Sequence, residues 1–277
     1  VRWITARRRR PLFGYAAVLL ALVAIGSLYA AVTGLGSGGN ASASSGSSSS
    51  QISEGKDLFA VSCASCHGEY AQGSSVAPSL VGAGAAAVDF QVGTGRMPLK
   101  EDDAEAPRKP PVFNQSQIYA LAAYVASLGG GPAIPSSQDV STAGASTALG
   151  QSLFNANCAQ CHNYAGAGGA LTEGKYAPPL TQATNRQIYE AMLTGPEAMP
   201  VFNNTTVTPQ AKRDIIAYVT QTRAEANPGG FSLGRIGPTT EGLVAWLGGI
   251  AALILAAMWI TAKRRDDVRT GEISDNQ

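Results

Sequence analysis

Two histidines are all that this chain possesses, and it has only four cysteines and four methionines. Charge is sparse as well: 20 Lys and Arg face 19 Asp and Glu, for a formal net charge of +1, so no basic footprint for nucleic acid exists. No run alternates apolar and polar residues over the length of a strand, which leaves a sheet-based fold without support. The scarce residues are not scattered. Cys63 and Cys66 stand immediately before His67, and Cys158 and Cys161 immediately before His162. Whatever "VSCASCHGEY" and "NANCAQCHNY" do consumes every cysteine and every histidine in the chain.

Uncharged residues concentrate at the two ends. After Arg7 to Arg10, about 22 residues from Leu12 to Thr33 carry no charge, enough for a helix to cross a ~30 Å hydrocarbon core. Near the other end, the stretch from Leu243 to Ala262 is apolar and is closed by Lys263, Arg264 and Arg265. Basic residues flank the outer end of each span, so the positive-inside rule predicts cytoplasmic termini and an external middle segment. Two other readings stay open. The first span could be a signal peptide cleaved near Ala41 to Ala43, although its apolar run exceeds the usual h-region, and the second could be a buried core helix.

Between the spans the sequence repeats itself. "EGKDLFAVSCASCH" answers "LGQSLFNANCAQCH", pairing Gly55 with Gly150, Leu58 with Leu153 and Phe59 with Phe154. "APSL" at Ala77 to Leu80 answers "APPL" at Ala177 to Leu180, and "RMP" at Arg96 to Pro98 answers "AMP" at Ala198 to Pro200. "PVFN" occurs twice, and the closing segments pair Tyr124 with Tyr218. Self-similarity in a fixed order means one structural unit used twice. The resulting plan has a basic N-terminus (1–11), a transmembrane helix (12–34), a Gly/Ser linker (35–51), a first domain (52–130) and a connector (131–146). A second domain (147–227), a linker (228–241), a transmembrane helix (242–262) and a cytoplasmic tail (263–277) follow. The fold class expected is all-α, with order beginning near Ile52. Apolar spacing predicts helices over 53–61 and, through Ile118, Leu121, Ala122 and Val125, over 115–128. The insert "LKEDDAEAPRKP" in the first copy reads as either a docking loop or a solvated one, and its mixed charges favour the solvated reading. Units of about 80 residues bury little core, and such domains usually need a staple or a cofactor.

A Cys-x-x-Cys-His turn answers that need. Two thiols three residues apart can add to the two vinyl groups of haem while the adjacent imidazole meets the iron. A Cys₄ zinc site leaves the two histidines unexplained, a thioredoxin-like motif lacks its βαβ context, and paired disulfides would close rings too small to constrain the chain much. The preferred reading is two covalently bound haem c groups with His67 and His162 as axial ligands. No histidine is left for the sixth positions. Methionine is the usual alternative, and Met97 and Met199 occupy matching places, each followed by proline. Met258 lies in the second span, and Met192, without a counterpart, reads as a core contact.

With these motifs in view, each repeat resembles a class I cytochrome c domain. The whole, two such domains between two spans, resembles the dihaem cytochrome cc subunit of the actinobacterial cytochrome bcc complex, a menaquinol:cytochrome c reductase. The resemblance implies that the carbonyl of Pro78, and of Pro178 or Pro179, orients the proximal histidine. It also implies an electron-transfer subunit without turnover of its own, relaying electrons from the Rieske iron-sulfur protein, beside cytochrome b, to the copper centre in subunit II of a haem-copper oxidase. A dihaem subunit of a cbb-type oxidase, a dihaem peroxidase and a haem-based sensor are the competing readings.

Overall fold

A computed structural model describes residues 15, 18–25, 27, 48–100, 105–225, 233–235 and 238–274. The chain is helix-rich. Helix α1 (Ser49–Ser62) starts three residues before the expected onset of order, because Ser48 caps it by accepting from the Gln51 amide at 3.2 Å. Its last turn runs into the short helix α2 (Ala64–His67), with α3 (Ala85–Gly93) and α4 (Gln115–Ser127) completing the first repeat. Asn114 and Gln117 form a reciprocal capping box at the start of α4. The second repeat follows the same order with α5 (Thr147–Asn157), α6 (Ala159–His162), α7 (Asn185–Thr194) and α8 (Pro209–Ala224). One departure from an all-α plan lies here: the extra residues after His162 form a two-residue antiparallel ladder, β1 (Gly169–Ala170) on β2 (Tyr176–Ala177). So short a ladder has no periodicity to read in sequence.

The first and last helices of each repeat cross at a glycine. A Cβ on Gly55 would lie 1.9 Å from the Ala120 carbonyl oxygen, and one on Gly150 would lie 1.9 Å from that of Asp214. One turn further on, Phe59 meets Tyr124 and Phe154 meets Tyr218, each pair with ring centroids 5.3 Å apart and tilted. Around these pairs the two cores use matching residues. Leu58, Cys63, Leu80, Met97 and Phe113 pack on the first, and Leu153, Cys158, Leu180, Met199 and Phe202 on the second.

The Pro/Gly-rich connector is a loop, as its composition indicates, and it is pinned down. The Ala86 amide donates to the Pro132 carbonyl at 3.0 Å, Ile134 packs on the first core, and Val140 packs on the second. The insert corrects the expectation of a purely solvated loop. Residues 101–104 lie outside the described set, but Ala106 is buried, and the Lys109 ammonium donates to the carbonyls of Arg96 at 3.2 Å and Pro98 at 2.7 Å. The returning end of the insert therefore clamps the Met97 loop.

The two repeats meet through equivalent helices, α3 against α7. Asp89, itself buried, accepts from Gln115 and lies 3.7 Å from Arg186, whose guanidinium also donates to the Tyr119 hydroxyl at 2.8 Å. Glu190 is 1% exposed beside this pair. Burial, then the hydrogen bond to Asp89 and the Asp89 charge, push Glu190 up to about 10 against the opposing pull of Arg186. Glu190 therefore carries the proton at neutral pH. Folding takes up that proton, so the stability it confers is complete below the ordinary carboxylate range and is lost as pH climbs towards about 10. Relative to the parent, Glu190→Gln is expected to gain on the order of 4 kcal/mol of stability between pH 5 and pH 8, and to be nearly equal to it at pH 5. Thermal melting at both values checks this; a variant gain larger at pH 5 than at pH 8 would reverse the sign and refute it.

The last helix, α9 (Pro238–Ser274), contains a 23-residue segment, Thr240–Ala262, with mean hydropathy 2.3 and none of it buried. Leu247, Leu253, Trp246 and Trp259 are all exposed, so the segment is not a core helix. At 1.5 Å per residue it is long and apolar enough to cross a membrane. Of the expected N-terminal span, residues 15, 18–25 and 27 are helical and exposed, and the rest falls outside the described residues.

Candidate haem sites

Each Cys-x-x-Cys-His turn is built by the end of the preceding helix. The Cys63 amide closes α1 on the Phe59 carbonyl at 2.8 Å, and the Cys66 and His67 amides then both turn back on the Cys63 carbonyl. The second copy repeats the pattern, with Cys158 on Phe154 at 2.8 Å and Cys161 and His162 on Cys158. The residue after each histidine, Gly68 at φ +83° and Asn163 at φ +63°, reverses the chain, and glycine and asparagine are the residues that tolerate such angles.

The histidines find matching partners. His67 Nδ1 lies 2.8 Å from the Pro78 carbonyl, and His162 Nδ1 lies 3.0 Å from that of Pro178. A carbonyl can only accept, so each Nδ1 carries the hydrogen and a neutral ring keeps its lone pair on Nε2. Burial lowers the pKa of His162 and so favours the neutral ring, against the opposing pull of that hydrogen bond. Pro179 does not bond the ring; it precedes the 3₁₀ turn Leu180–Gln182.

None of the cysteines is in a disulfide. Burial, and then the charge of the neighbouring thiol, push Cys63 and Cys158 each up to about 11. Among the described residues, no three His, Cys, Asp or Glu side chains converge as a metal-ligand cluster, so the two motifs do not share a Cys₄ site.

In the second repeat, a cavity of about 470 Å³ brings together Cys158, Cys161, His162, Pro178, Pro179 and Met199. Met192, 3% exposed, lines the same space while packing in the core, so its place does not separate it from Met199. The matching position of Met97, packed with Cys63 on the first core, is what singles out Met199. Volume, thiols, imidazole and thioether in one apolar cavity fit a covalently held haem. Sequence reasoning missed the wall on the other side. Phe90, Arg96 and the insert residues Glu105 to Arg108, all from the first repeat, line the cavity of the second. The charge pattern of the insert is the one available signal in the sequence.

A helix-terminal Cys-x-x-Cys-His whose imidazole is steered by a proline carbonyl, set against a methionine loop, defines c-type cytochrome modules. Family comparisons agree: residues 52–129 match the cytochrome c family, and residues 145–219 match "Cytochrome C oxidase, cbb3-type, subunit III". Over nearly its whole length the chain is similar to proteins named cytochrome bc1 complex cytochrome c subunit. It is 46% identical to that of Mycobacterium tuberculosis over 263 residues (93% of each chain) and 43% identical to that of Corynebacterium diphtheriae over 279 residues (94% of this chain, 98% of the relative). With the Mycobacterium leprae relative it shares 48% over 222 residues, 78% of this chain and 77% of the relative. The chain belongs to the family of cytochrome c subunits of cytochrome bc1 complexes. It is accordingly a c-type cytochrome with covalently bound haem, an electron-transfer role and a membrane location.

Proposed function

We propose that this chain is a membrane-anchored dihaem cytochrome. It relays electrons from the Rieske iron-sulfur protein of a menaquinol-oxidising cytochrome bcc complex to the copper centre in subunit II of a haem-copper terminal oxidase. The observation that carries the reading is the duplication of the whole site, with Cys, His, proline carbonyl and Met at matching places in both repeats. When bound, haem supplies a one-electron iron couple. Cys63 and Cys66 anchor one group and Cys158 and Cys161 the other. His67 and Met97 would hold one iron and His162 and Met199 the other, with Pro78 and Pro178 fixing the histidine rings. An iron held by these residues would have no position left for a substrate, which suits outer-sphere transfer and weighs against a dihaem peroxidase. Two spans with cytoplasmic termini keep both haem domains at the outer membrane surface, where the chain substitutes for a diffusing carrier.

A dihaem subunit of a cbb-type oxidase is the second reading, favoured by the match over residues 145–219. The likeness over 93% of the chain to bc1-complex subunits and the apolar segment Thr240–Ala262 both favour the first. Purification of the tagged chain from mildly solubilised membranes separates them. Cytochrome b, the Rieske subunit and a haem-copper oxidase subunit II are expected to co-purify; a cbb-type catalytic subunit in their place sinks the bcc assignment.

The axial assignments have their own test. Met199→His is expected to lower the midpoint potential of one haem alone, because imidazole stabilises ferric iron more than a thioether does. Met192→Leu, a swap of similar volume, is expected to leave both haem spectra unchanged. Loss of a sulfur-to-iron absorption band in Met192→Leu but not in Met199→Leu would reassign the second ligand.

A further inference from the structure

Arg96 belongs to the first repeat, immediately before Met97, yet its side chain lines the cavity of the second. It is 8% exposed, its guanidinium carbon sits 4.9 Å above the Phe90 ring, and its Nη1 has no hydrogen-bond partner. A buried guanidinium nitrogen left unpaired costs about 1–3 kcal/mol or more, so the site is built for an acceptor. Arg108 lines the same cavity, itself exposed and donating to Gln187 at 3.3 Å. Glu105 and Glu197 also line it, and neither bonds the unpaired nitrogen. The rest of the cavity wall, around Cys158, Cys161, His162 and Met199, is predominantly apolar. Haem presents two propionate carboxylates on one edge, and Arg binds carboxylates through paired N–H groups.

We propose that Arg96, with Arg108 beside it, binds the propionate carboxylates of the haem carried by the second repeat, so that one domain completes the cofactor site of the other. The inference rests on the two-haem reading. Under it the domain contact does more than tether: it sets the charge around the second iron. The Lys109 clamp on the Arg96 and Pro98 carbonyls, at 3.2 and 2.7 Å, fixes the backbone from which Arg96 projects. A guanidinium paired with a propionate neutralises it, and its loss leaves uncompensated negative charge near the iron, which favours the ferric state.

The test is a redox titration of Arg96→Gln, Arg96→Lys and Arg108→Gln in the full chain, purified within its membrane complex. A Cys63→Ser, Cys66→Ser form identifies the signal of the second haem. Arg96→Gln is expected to reduce the ferrous-to-ferric ratio of that haem about tenfold at fixed potential, equivalent to about 59 mV for one electron, with Arg96→Lys closer to the parent. Arg108→Gln, an exposed change that leaves folding intact, is expected to shift the same haem in the same direction by less. Because Arg96 adjoins Met97, a purely local role would move the first haem instead. A shift confined to the first haem, or none in the second from Arg108→Gln when Arg96→Gln does not accumulate, overturns the proposal. Haem staining of the denatured chain distinguishes failure of the underlying reading, since absence of covalent haem at Cys158 and Cys161 would remove the cofactor itself.

Discussion

Replacing Cys158 and Cys161 by serine is expected to leave one covalent haem per chain in place of the two proposed, with menaquinol-driven oxygen consumption falling to background while cytochrome b is still reduced. The effect is large because the chain offers no bypass: His162 is the second repeat's only imidazole, and no other cysteine exists to attach a group there. The two cores are separate clusters around Phe59 and Phe154, so the first repeat is expected to keep its haem. Denaturing gels stained for haem, optical spectra of cytochrome b and an oxygen electrode read the three quantities. Undiminished respiration in a strain whose only copy lacks the second haem would end the relay reading. Loss of both haems would instead mean that the first domain cannot fold without the second. That result would point to the α3–α7 contact, where Asp89 and Glu190 are buried beside the partly exposed Arg186, as a requirement for folding.

What could be seen in the sequence was whatever the repeat wrote twice. Gly55 and Gly150, Phe59 and Phe154, and Tyr124 and Tyr218 stand at fixed offsets from the cysteines, and they are the residues at which the first and last helices of each domain touch. The start of α1 is hidden in the sequence because serine in a Gly/Ser tract looks like linker, whereas Ser48 caps the helix. Features present once escaped. Arg96, Arg108 and the Glu190–Asp89 pair have no counterparts in the other copy, and their role depends on how the two domains meet, which self-similarity does not encode. The insert is the sharpest case. Its charges read as a solvated face, whereas Lys109 and Ala106 are committed to the Met97 loop and the neighbouring cavity. Charge alone cannot distinguish a solvated loop from one whose cations face a buried acceptor.

Gly150→Ala should cost the second domain its fold, although in an ordinary helix the same change is favourable by about 1 kcal/mol. Gly150 is an interior residue of α5, where α8 passes so close that an added Cβ would stand 1.9 Å from the Asp214 carbonyl oxygen and 2.4 Å from its carbon. Backbone cannot swing aside as a side chain can. The helices must separate, pulling Phe154 from Tyr218 and loosening the Ser146 amide from the Asp214 carboxylate, which it meets at 2.8 Å. A loss of about 3–5 kcal/mol follows, comparable with the whole stability of a small domain. Gly55→Ala meets the Ala120 carbonyl at the same 1.9 Å and should act likewise on the first domain. Gly93→Ala is the control. It also lies in a helix, but its Cβ would meet nothing nearer than the Asp89 carboxylate at 3.9 Å, so it should be neutral or mildly stabilising. Covalent haem content and thermal melting of the three variants decide the matter: Gly150→Ala should lose the second haem, Gly55→Ala the first, and Gly93→Ala neither. A Gly150→Ala protein that melts with the parent and keeps both haems would mean that the helices do not cross at this glycine.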